Sequence, residues 1–198
     1  MVVNHSHKLV FIHIPKTGGS SIEKLLGLYG PNSIANCYGI FDGKALQHLT
    51  CSEILARQPI TKKYYKFCVV RNPYDRLLSD YYWLPNGGYQ ASQSVDQYLD
   101  KVEDVVQNER YSDHIYSDHF MPQHLFVYDT DRCLVNWVGR FEQLTDTAEH
   151  IKSTFSISTN FQHINYNSDV DRVQLTQEQK DRIYNLYQKD FKLFSYQP

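Results

Sequence analysis

Residues Leu9-Val10-Phe11-Ile12-His13-Ile14-Pro15-Lys16-Thr17-Gly18-Gly19-Ser20-Ser21 run from an apolar strand through a tight turn into a helix, whose start the pattern places at Ser20 or Ser21. A turn of this kind is built to receive an anion. Two glycines admit close backbone approach, successive amide N–H groups and the positive end of the helix macrodipole point the same way, and Lys16 adds a full charge. The nucleoside triphosphate loop, G-x-x-x-x-G-K-[ST], places its lysine after the last glycine and follows it with a magnesium-binding hydroxyl. Here Lys16 precedes both glycines.

A second strand, turn and helix follows in Tyr64-Tyr65-Lys66-Phe67-Cys68-Val69-Val70-Arg71-Asn72-Pro73-Tyr74-Asp75-Arg76-Leu77-Leu78-Ser79-Asp80-Tyr81-Tyr82. Phe67 to Val70 suit a buried parallel strand, Pro73 ends the ladder, and Leu77, Leu78 and Tyr81 fall at helical spacing. Arg71 is therefore expected at the carboxyl end of a strand. Ser79, two helical turns on, can share an anion with it only if the helix runs back alongside. Two anion grips on one sheet edge imply a ligand with two separated phosphate groups.

These motifs resemble those of the sulfotransferases. Ile14-Pro15-Lys16-Thr17-Gly18-Gly19-Ser20-Ser21 is similar to their 5′-phosphosulfate loop, and Arg71 through Ser79 to their 3′-phosphate motif. Val138-Gly139-Arg140-Phe141-Glu142, then His163-Ile164-Asn165, and the closing Asp190-Phe191-Lys192-Leu193-Phe194-Ser195-Tyr196 also recur in similar form in the carbohydrate-sulfating Golgi branch. The resemblance implies the donor 3′-phosphoadenosine 5′-phosphosulfate, held by Lys16, Thr17, Gly18, Gly19, Ser20, Ser21, Arg71 and Ser79. It further implies a carbohydrate or glycoconjugate acceptor, Lys16 acting on the leaving phosphate, and no metal. In the relatives that sulfate heparan at the 6-hydroxyl, a histidine followed by an acid serves as base, and Gln47-His48-Leu49-Thr50-Cys51-Ser52-Glu53 looks like that element. His48 is the expected base.

The remaining pattern fits one α/β domain over residues 1–198, a three-layer sandwich with a central parallel sheet and a phosphate-binding strand-loop-helix. With 41% hydrophobic residues the chain can bury a substantial core, and no linker divides it. Helical periodicity marks Lys44 to Arg57, Val95 to Val106, Asp146 to Phe155 and Thr176 to Phe191. His124 to Tyr128 and Leu134 to Phe141 read as strands, and Pro31 to Gly43 as a loop.

A net charge of −2 argues against nucleic acid as partner. No apolar run reaches the roughly 20 residues of a membrane span, and no signal-peptide h-region opens the chain, which is read as soluble, cytoplasmic and of bacterial type. Cys37, Cys51, Cys68 and Cys133 lack C-x-x-C spacing, so they are expected as free thiols packed like small hydrophobes rather than zinc ligands. His13 is expected to orient the lysine turn, while His114, His119, His124 and Gln123 are lesser candidates for acceptor contact. A small-molecule kinase would want G-K-[ST] and a magnesium-binding acid, which the chain does not place correctly. A catalytically silent nucleotide-binding module is the other alternative.

Overall fold

The computed structural model describes residues 1–30, 39–41, 44–83, 93–114, 116–164 and 173–198. Most of the loop expected over Pro31 to Gly43, with Cys37, and also Asn165 lie outside the described residues. The elements, in chain order, are β1 (Val3–Asn4), β2 (Leu9–Ile12), α1 (Gly19–Leu25), β3 (Ile40–Phe41), β4 (Lys44–Ala45), α2 (Cys51–Arg57), β5 (Tyr65–Val70), α3 (Pro73–Tyr81), α4 (Val95–Gln107), α5 (Gln123–Val127), β6 (Tyr128–Asp129), β7 (Arg132–Cys133), β8 (Trp137–Arg140), α6 (Leu144–Phe155) and α7 (Gln177–Leu193).

The central sheet has the order β1-β2-β5-β8. β2, β5 and β8 are parallel and in register through Phe11, Phe67 and Trp137, while β1 adds an antiparallel edge. Successive strand residues point to opposite faces, so each strand feeds two cores. Leu9, Phe11, Phe67 and Val69 pack with Ile22 and Leu25 of α1 and Leu144, Ala148 and Ile151 of α6. Val10, Ile12, Cys68 and Val70 pack on the other side with residues of α2, α3, α4, α5 and α7. The sheet is thus covered on both faces. Because its three long strands are parallel, their carboxyl ends lie side by side, the usual place for a ligand in such sheets.

The structure corrects several local expectations. His124 to Tyr128 is not a strand: Gln123–Val127 is a helical turn, and only Tyr128–Asp129 pairs, in a hairpin with Arg132–Cys133. A carboxylate from the far end of the chain decides this, for Asp190 accepts from the amides of Gln123 (2.7 Å) and His124 (2.9 Å) and so caps the turn. The strand expected over Leu134 to Phe141 is confined to Trp137–Arg140, and Phe141 already opens a 3₁₀ turn. Lys44 to Arg57 divides into a strand, a 3₁₀ turn at Leu46–His48 and α2, because the Thr50 and Glu53 capping box starts a new helix. α1 begins at Gly19, not Ser20 or Ser21. Cys51 and Cys68 are buried free thiols, whereas Cys133 is exposed in the hairpin.

Arg76 on α3 ties distant segments together. Almost wholly buried, its guanidinium donates to the carbonyls of Pro15 (3.1 Å), His119 (2.7 Å) and Met121 (2.8 Å). Replacement by Met would keep the bulk and strand those carbonyls without partners. Arg76→Met is expected to lower stability in urea denaturation by about 3 kcal/mol; a loss below about 1 kcal/mol would show that the bonds hold nothing together.

Candidate functional site

The turn after β2 is fixed from several directions. The Thr17 hydroxyl donates to the Ile14 carbonyl at 2.8 Å, and Ser21 both accepts from the Ile164 amide (3.0 Å) and donates to its carbonyl (3.4 Å). Gly18 has φ +81°, and a Cβ there would come within 2.7 Å of Leu144. At Gly19 a Cβ would lie 2.0 Å from the His13 ring. His13, which donates from Nδ1 to Glu23 of α1 at 2.6 Å, therefore clasps the start of the helix and orients the turn as expected. Lys16 itself takes a left-handed backbone, φ +68°, and its ammonium lies 4.3 Å from the centre of the Trp83 ring. Ser20 is half-buried at the head of α1.

Arg71 follows directly on β5. Its Nη1 donates to the Lys16 carbonyl at 3.2 Å, and its guanidinium stacks 3.9 Å from the centre of the Phe141 ring, which follows directly on β8. Lys16, Arg71 and Phe141 thus meet at the carboxyl ends of β2, β5 and β8. His163 packs edge-on against Phe141 at 6.0 Å. Burial first, then the Arg71 charge, holds its pKa below the usual histidine value. Ser79 is half-buried in the second turn of α3, and the contacts joining Lys16, Arg71 and Phe141 do not include it. Arg71 thus contacts the lysine turn.

Beside the turn lies a row of buried imidazoles. His13 and His48 meet at 5.0 Å between ring centres, and His48 and His119 at 5.2 Å. Each ring has a carboxylate on Nδ1: Glu23 for His13, Asp118 for His48 (2.8 Å) and Asp80 for His119 (2.5 Å). An ionised carboxylate only accepts, so Nδ1 of His48 carries the proton and Nε2 keeps its lone pair, toward which the Gln47 amide nitrogen points at 3.2 Å. Burial is the largest influence on His48, and with the neighbouring His13 and His119 it outweighs the hydrogen bond to Asp118, lowering the pKa to about 4. Burial opposes ionisation of Asp118 and Asp80. The partner imidazoles nonetheless hold both carboxyls below the usual value, with Lys16 and Tyr98 also assisting Asp80.

Ligand-type atoms of His48, Asp118 and His119 lie within 4.8 Å of one another, a grouping able to hold a cation. Neither cysteine spacing nor histidine pairing in the sequence signals it, because the three residues come from distant parts of the chain. Sequence reasoning also missed Asp118, Asp80, Trp83 and the role of Gln123, none of which belongs to a short motif. Gln123 is fully buried and clasps the Arg71 backbone, accepting from its N–H at 2.9 Å and donating to its C=O at 2.8 Å. With both ends of its amide engaged, it is a brace for Arg71. His124 is likewise engaged by Asp190 at 2.6 Å, and His114 is exposed.

The chain is an open α/β protein with a mostly parallel sheet, the class whose ligands bind outside the carboxyl ends of the strands. A sequence model of the sulfotransferase family matches residues 1–197, and the chain belongs to that family. It is a transferase of sulfuryl groups. No curated protein matches it. Among the described residues no helix is long and apolar enough to cross a membrane.

His48 titrates near 4 when folded, against 6.5 for the free side chain. Between those values the unfolded chain binds a proton that the native protein refuses, so stability is present above pH 6.5 and is lost as the pH falls toward 4. Melting curves from pH 7 to 4 are expected to show this decline and His48→Gln to flatten its upper part; an equally steep decline in the variant would exclude His48 as its source.

Proposed function

We propose that the protein transfers the sulfuryl group of 3′-phosphoadenosine 5′-phosphosulfate to a hydroxyl of a carbohydrate or glycoconjugate. The hydrogen bond from Arg71 to the Lys16 carbonyl carries this reading. It joins the two stretches read from the sequence as anion grips at one edge of the sheet, which supports a single bisphosphorylated nucleotide as their ligand. In this reading the backbone of Thr17, Gly18, Gly19, Ser20 and Ser21 and the Lys16 ammonium receive the 5′-phosphosulfate, and Arg71 with Ser79 receives the 3′-phosphate.

The acceptor hydroxyl attacks sulfur in line, an oxygen–sulfur bond forms, and the bond to the 5′-phosphate oxygen breaks. Lys16 offsets the charge that collects on the departing phosphate. His48 takes the hydroxyl proton on Nε2, once the Gln47 amide gives way to the acceptor. Asp118 fixes the tautomer and stabilises the imidazolium, as the carboxylate does in other acid–histidine pairs. The scheme routes no step through a metal.

Adenosine 3′,5′-bisphosphate without magnesium is expected to raise the melting temperature, by mass action on the native state. Stabilisation by magnesium–ATP alone would instead indicate a kinase. His48→Ala should retain this shift while losing about 10²–10⁴-fold in transfer. Full transfer by the variant would remove His48 as base. Because His48 stays neutral down to about pH 4, the acid limb of kcat/KM is expected near that pH rather than near 6.5. Asp118→Asn removes an upward influence and cannot move the limb higher.

A further inference from the structure

Trp83 stands two residues past the end of α3 and takes no part in the scheme above. The residue is 39% exposed. The Trp83 amide donates to the Asp80 carbonyl at 2.9 Å. The carboxylate of that same Asp80 accepts from His119 at 2.5 Å and from the Tyr98 hydroxyl at 3.1 Å. His119 packs against the indole at 5.0 Å between ring centres, with its carbonyl gripped by Arg76. Tyr116 meets the indole edge-on at 5.1 Å and His119 at 5.3 Å. One buried residue, Asp80, thus holds the Trp83 backbone through its carbonyl and the His119 ring that packs on the indole through its carboxylate.

What this seat presents is a π face under a cation. The Lys16 ammonium lies 4.3 Å from the ring centre, inside the roughly 6 Å range of cation–π attraction. A lysine on a flexible four-carbon stem has many rotamers, and an ammonium that must meet a departing phosphate oxygen gains from being held in few of them. The backbone of Lys16 is fixed by Arg71. An aromatic ring beneath the ammonium limits the rotamers of that side chain without forming an ion pair.

We propose that Trp83, seated by the His119 and Asp80 pair, is a positioning residue for the Lys16 ammonium in sulfuryl transfer. The kinetic part rests on the proposed function, whereas the contact itself can be tested apart from it. In the wild-type protein the ε-methylene resonance of Lys16, assigned by its loss in Lys16→Met, is expected upfield of those of the other lysines through the indole ring current. It should return to the common position in Trp83→Ala. Trp83→Ala is expected to lower kcat about tenfold, the scale a partly desolvated cation–π contact supports, with the melting shift given by adenosine 3′,5′-bisphosphate preserved. Trp83→Phe, which keeps a ring, should restore most of the rate. In a Lys16→Met background the loss should vanish, because the two residues act as a unit.

An ordinary Lys16 resonance in the wild type would overturn the proposal. So would an additive loss in the double variant, or a loss confined to the acceptor KM, which would make Trp83 an acceptor platform. If the wild type transferred no sulfuryl group to any acceptor, the proposed function would fall, and the resonance would still decide whether the indole holds the lysine.

Discussion

The Arg76 guanidinium is the constraint on which the arrangement rests. The lysine turn is irregular backbone and His119 sits near the end of a short 3₁₀ helix (Ser117–Phe120), so the carbonyls of Pro15, His119 and Met121 lie outside any ladder, and buried carbonyls without partners are costly. A planar cation with several donors answers three of them at once, at Pro15, His119 and Met121. A lysine could not, since its donors radiate from one point. Through this side chain α3 sets the position of the turn that bears Lys16 and of the segment that bears His119. Arg71, at the head of the same strand-to-helix unit, fixes the turn a second time.

Three imidazoles in contact would repel one another if charged, and the structure answers by keeping the central one neutral. The carboxylates of Glu23, Asp118 and Asp80 each claim an Nδ1 proton, so the three rings are oriented in the same sense. His48, buried and flanked by the other two, has its pKa lowered to about 4, chiefly by burial. A base that is always in its receptive form at neutral pH has a weaker pull on a proton than one poised near 7. The partner carboxylate offsets this by favouring the imidazolium as it forms.

What the sequence made legible was the part written in contiguous residues. The lysine turn, the Arg71 strand end, the helix from Val95 and the two faces of the parallel strands all follow from local patterns of glycine, charge and apolar spacing. What it concealed depends on residues far apart in the chain. Nothing near His48 announces Asp118, seventy positions on, and nothing near Gln123 announces that Asp190 would cap its turn and make a helix of an apparent strand. In the sequence Gln123 reads as a lesser candidate for acceptor contact because a buried amide and a binding amide have the same letter, and its two bonds to the Arg71 backbone favour the bracing role.

The backbone of Lys16 sits where side chains are ordinarily unwelcome. At φ +68° a glycine would rest more easily, and the chain places glycine in the same region of conformational space just two residues later. Retaining a long cationic side chain there means that local comfort yields to electrostatics at this one position. The two demands are separable: a glycine at residue 16 would relax the hinge of the turn while silencing its charge, so a protein that became sturdier and inert together would display the tension built into its most informative residue.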